Sequence, residues 1–106
     1  MKTTHERMTE FYQQEKALYP DTSERFAVID GTGQVVCIIP ATSEEQALDV
    51  AKKRNDHSVK MERFVRSQSG GPGFALELFE ERQRQYDQWK AQRVSEPPAP
   101  PRITTP

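Results

Sequence analysis

A chain of 106 residues, 34% of them apolar and 29% charged, has room for one modest core. At this size roughly two-thirds of the unfolded surface is buried on folding, which leaves little with which to build a deep pocket. No apolar run approaches the ~20 residues that span a bilayer, and "MKTTHERMTEFY" lacks the apolar stretch of a signal peptide, so a cytoplasmic chain without membrane association is expected.

The first element in chain order is a helix. Thr3 and Glu6 have capping-box spacing. Met8, Phe11, Tyr12, Leu18 and Tyr19 then follow a helical period, and Pro20 ends it. "RFAVIDGTGQVVCIIP" predicts a β-hairpin. Two β-rich runs, 26–29 and 35–39, flank Asp30-Gly31-Thr32-Gly33, and the glycines supply the positive φ of a tight turn. The runs are nearly continuous in apolar character, which predicts a sheet covered on both faces around the second strand. The only cysteine, Cys37, lies inside the second run, where a thiol acts as a small buried hydrophobe; one cysteine excludes an internal disulfide.

"ATSEEQALDVAKKRND" predicts the next helix. Thr42 with Glu45, or Ser43 with Gln46, offers a cap, and Asn55 is placed to end it. "SVKMERFV" predicts a third strand, with Val59, Met61 and Val65 on one face. A last helix is predicted from Phe74 to about Val94, about 30 Å long at 1.5 Å per residue, its second half extending past the core. "SEPPAPPRITTP" after it is polyproline-prone. The expected fold is an α+β single-domain sandwich over 1–94, in the order α-β-β-α-β-α. It has a three-stranded mixed sheet, a long C-terminal helix and a Pro-rich disordered tail over 95–106.

Little catalytic chemistry is legible. "SQSGGPGF", residues 67–74, leads into a helix whose free N–H groups attract anions. It lacks the Lys-Ser/Thr of a P-loop and the third glycine of a dinucleotide fingerprint, and Pro72 removes a donor, so a hinge is the simpler reading of the glycines at 69–73. His5 and His57 have no partner at metal-ligand spacing, and no catalytic residue, metal or cofactor is expected.

Net charge is −1 but unevenly spread: −5 over residues 1–51, +4 over 52–66 and zero over 67–106. Lys52, Lys53, Arg54, Lys60, Arg63 and Arg66 thus form a basic patch able to meet phosphates or nucleic acid, although three of them lie where a helix C-terminus favours cations. In the tail, Pro97, Pro100 and Arg102 match the P-x-x-P-x-R pattern of polyproline ligands. Tyr86 and Trp89 lie i, i+3 on the outer part of the last helix with Arg82 and Arg93 near them, and large aromatics and arginine are enriched at binding hot spots. The hairpin followed by "ATSEEQAL" resembles that of many small bacterial, plasmid and phage domains. The functional expectation is a non-enzymatic protein-binding module, an adaptor, regulator or inhibitor of the kind that phages and plasmids encode, that acts through its C-terminal helix. The alternative is a nucleic-acid-associated accessory protein using the basic patch.

Overall fold

The computed structural model describes residues 2–69 and 74–94. The glycine-rich segment 70–73 and the Pro-rich segment 95–106 lie outside them. The class is α+β, with three helices and a three-stranded sheet.

Helix α1 covers Thr4–Ala17. The Thr3 hydroxyl accepts from the Glu6 N–H at 3.1 Å, the forward half of the expected cap. Strands β1 (Arg25–Ile29) and β2 (Val35–Pro40) pair antiparallel, with a register shift after Val28. Their turn is tied by one carboxylate. Asp30 Oδ1 accepts from the N–H groups of Thr32 and Gln34 and from the Thr32 hydroxyl, at 2.9, 3.1 and 2.6 Å. Gly33 supplies the left-handed residue, with φ +89°. These bonds hold the Asp30 carboxyl below the ordinary carboxylate range, the Thr32 hydroxyl contributing most.

Helix α2 runs from Glu44 to Ser69, 26 residues and about 39 Å. Ser43 and Gln46 form its cap. The Gln46 N–H donates to Ser43 Oγ at 3.1 Å, and the Gln46 side chain turns back to accept from the Thr42 N–H at 2.7 Å. The strand predicted over 58–65 is the second half of this helix. No glycine or proline interrupts 44–69. Lys60, Met61, Glu62 and Arg63 are all good helix formers, and His57, Met61, Phe64 and Gln68 recur at helical spacing. Asn55, predicted to end the helix, is buried in its middle.

Helix α3 covers Phe74–Gln83, and the predicted extension to Val94 does not form. After a turn at 84–85 the chain makes a short 3₁₀ segment, Tyr86–Gln88, and then strand β3, Lys90–Arg93. This strand completes the sheet in the order β2-β1-β3, pairing Phe26 with Arg93 and Val28 with Ala91. Both strand pairs are antiparallel, so the sheet is not mixed. The 3₁₀ segment backs the hairpin turn: a Cβ on Gly31 would collide with Gln88 Oε1.

One face of the sheet packs on α2. Phe26, Val28, Ile39, Ala47, Val50, Ala51, Trp89 and Ala91 belong to one buried cluster, with Cys37 half-buried against it. Phe11, Val59 and Leu76 are buried outside that cluster, toward the far end of α2. There the Phe11 ring lies 5.5 Å from His57 and 5.6 Å from Phe64. His57 Nε2 donates to the Phe11 carbonyl at 2.7 Å, tying α1 to α2.

Candidate functional site

Tyr86 and Trp89 do not stand on a projecting helix. Trp89 is 4% exposed and part of the sheet-side core. The reason is local. "WKAQR" alternates apolar and polar residues, so extending it as a strand sends Trp89 and Ala91 inward and leaves Lys90 and Gln92 exposed. The Tyr86 ring meets Trp89 edge-on at 4.7 Å. Its hydroxyl donates to Asp56 Oδ1 at 2.7 Å, with the Lys52 carbonyl at 3.0 Å as a second acceptor within reach, and accepts from Asn55 Nδ2 at 2.9 Å. Asn55 also donates to the Phe79 carbonyl and Gln83 to Asp56, at 2.8 and 2.9 Å. This network fastens the end of α3 to the middle of α2. Burial, and then the Asp56 carboxylate, push the Tyr86 hydroxyl well above the usual tyrosine range. Both aromatics are therefore anchors of the fold, which corrects their assignment to a partner surface.

The two arginines grouped with them separate. Arg93 is at the sheet edge, 3.3 Å from Glu24 and over the Phe26 ring at 5.3 Å. Arg82 is half-buried, its guanidinium over Phe79 at 5.7 Å.

All six residues of the basic patch lie on α2. Four of them face carboxylates: Lys53 pairs with Asp49 at 2.9 Å, Arg54 with Glu15 at 3.7 Å, Arg63 with Glu80 at 3.2 Å and Arg66 with Glu77 at 3.8 Å. Lys52 lies over the Tyr86 ring at 6.0 Å, and Lys60 is exposed. The ion pairs offset the charge that makes this segment stand out in sequence.

The surface that does stand out is the other face of the sheet. Paired residues share a face, so Ala27 with Ile38 and Ile29 with Val35 form an apolar row on the side away from α2. Val35 is 57% exposed and Ile38 58%. Lys90, opposite Ile29, and Gln92, opposite Ala27, continue this face onto β3, and Arg25 lies at its other end. The sheet is thus open around β2, where coverage on both faces was predicted. The continuous apolar run Val35–Ile39 was the available signal, but it does not by itself separate a doubly buried strand from one left open.

The polar groups that most often carry catalysis hold structural positions. His57 is tied to Phe11, and burial raises the Cys37 thiol, with Arg54 and Arg82 acting in the opposite direction. His5 is exposed in the first turn of α1. Among the described residues, no group of three or more His, Cys, Asp or Glu side chains is placed to hold a metal ion. Nor is any helix among them long and apolar enough to cross a membrane. No known protein family, no curated protein and no solved structure matches this chain.

Proposed function

We propose that the chain is a small non-enzymatic protein-binding module that takes its partner on the open face of the sheet, not on a C-terminal helix. The observation that carries this reading is the contiguous row Ala27, Ile29, Val35 and Ile38, whose two members on β2 are each more than half exposed. Contiguous apolar surface of this kind is costly to leave in water, and on natural domains it marks contact sites. Arg25 and Lys90 flank the row. The partner is therefore a protein whose contact surface is apolar at its centre and carries carboxylates at its rim. Adaptors, regulators and inhibitors all work through a surface of this type.

The test is affinity capture from the native host with wild-type bait and with Ile38→Lys, a substitution on an exposed position that leaves the fold intact. A partner held by wild type and lost by Ile38→Lys, with an association rate that falls as salt rises, is the expected result. A partner held equally by both baits sinks the assignment. A wild-type dimer that Ile38→Lys dissolves would transfer the face to self-association.

A further inference from the structure

A separate feature lies between the helices and the sheet. Residues of α1, α2, α3 and β2, together with Trp89, line a cavity of about 130 Å³. A water takes up about 30 Å³ in the liquid, so the space suits a molecule of a few non-hydrogen atoms. Its polar lining is rich in donors. Arg54, Arg82 and Ser58 supply them, and Glu15 is the one acidic side chain in the wall. Glu15 and Arg54 keep 31% and 39% of their side chains exposed, which places them at the side where the cavity meets solvent.

The donors are incompletely used. Arg54 shares Glu15 with the Tyr19 hydroxyl, which donates to the same carboxylate oxygen at 3.3 Å. No carboxylate among the described residues lies within ion-pair distance of Arg82. The Trp89 ring borders the space, but its indole N–H is closed to a water-sized molecule and has no acceptor among the described residues. Both guanidinium groups also act on the Cys37 thiol in the same wall, so their fields converge on this space. In the wall itself two guanidinium groups face one carboxylate across a small, partly apolar volume bounded by Met61 and Phe79, while Arg82 also acts on the Asp30 carboxylate outside it.

We propose that this cavity is a binding site for a small monocarboxylate. The carboxylate lodges between Arg54 and Arg82, while a short hydrocarbon end lies against Met61 and Phe79. A monoanion matches the residual charge, whereas a phosphate dianion would bring an excess negative charge beside Glu15.

Trp89 is the only tryptophan in the chain, so its emission reports on the site directly. The experiment titrates the full chain with propionate and, separately, with inorganic phosphate, at constant ionic strength set with chloride. Propionate is expected to change Trp89 emission saturably and to raise the melting temperature. Arg82→Gln should weaken propionate binding by about tenfold or more, the worth of a charged hydrogen bond. Glu15→Gln should strengthen it and bring phosphate binding closer to that of propionate. An Arg82→Gln chain that does not fold is replaced by Arg54→Gln, for which the same loss is expected. No saturable change beyond the chloride control, or unweakened binding by the folded arginine variant, overturns the site. Phosphate binding as tightly as propionate in the wild type overturns the monocarboxylate assignment.

Discussion

The two ends of α2 are held by different physics. At its N-terminal end the helix lies on the sheet, and the contacts are apolar and drawn from distant parts of the chain: Phe26, Ile39, Ala47, Val50 and Trp89 share one cluster. At its C-terminal end it meets α1 and α3, and the contacts are more directional. Phe11 meets His57 and Phe64 at a tilt, the Arg7 guanidinium lies 5.7 Å from both phenylalanine rings, and Arg63 reaches Glu80. Between them stands the Tyr86–Asp56–Asn55 network. The first kind of packing derives its strength from area and tolerates little loss of volume. The second depends on a handful of aligned groups, most of them near solvent, where ion pairs contribute little. A small chain thus stabilises one end by burial and specifies the other by geometry.

The largest expected effect is at the sheet end. Trp89→Ala should cost about 3–5 kcal/mol in urea unfolding followed by circular dichroism. A loss below about 1 kcal/mol, the net worth of one ordinary hydrogen bond, would mean that the sheet cluster does not rest on this ring. At the other end, Phe11→Ala should cost about 3 kcal/mol, the low edge of the range for buried aromatics. Its effect should be local, with faster amide exchange in α1 before the sheet responds. Equal acceleration in β1 would make the two ends one cooperative unit and remove the distinction.

The junction should be weaker than either. Tyr86→Phe removes one hydroxyl and leaves Asn55 and Asp56 short of a partner, at a cost of about 1–2 kcal/mol. It also has a pH signature. The folded state raises the Tyr86 pKa, so its contribution is complete below the ordinary tyrosine value of about 10 and is lost as pH rises above it. Wild-type stability should fall more steeply than that of Tyr86→Phe in this alkaline range. The smallest effect is at the hairpin turn, where the Asp30 pKa is lowered. That contribution is present above the ordinary carboxylate range and declines as pH falls through and below it. Asp30→Asn should flatten the acid limb of the stability profile and change little at neutral pH. An unchanged acid limb would place the turn's stability elsewhere.

What was legible in the sequence follows the same division between local and distant causes. The cap at Thr3, the cap at Ser43 and the glycine turn are decided by residues within four positions of one another: Thr3 makes the forward half of its box, Ser43 with Gln46 is the one of the two offered pairs that caps α2, and Gly33 takes the positive φ. The third strand is decided by something distant. Lys90, Ala91, Gln92 and Arg93 favour a helix on intrinsic propensity, and they extend only because β1 offers them an unpaired edge more than sixty residues away. Val59, Phe64 and Val65 mislead in the opposite direction, since β-branched and aromatic residues suggest a strand while the uninterrupted chain around them propagates helix. The open sheet face was hidden for a related reason: whether Val35 and Ile38 are covered depends on where α1 and α3 come to rest, and no pattern within "VVCII" records that.

The strand order β2-β1-β3 also has a consequence for the chain as it is made. β1 occupies the middle of the sheet, yet one of its two neighbours is the last described strand. Until residues 90–93 emerge from the ribosome, the hairpin has a bare edge on β1 and lacks Trp89 and Ala91 from its core. Contacts of such long sequence separation are slow to close, and an unpaired apolar strand edge is a template for association between nascent chains. Synthesis therefore exposes the central strand more than sixty residues before the strand that covers its second edge.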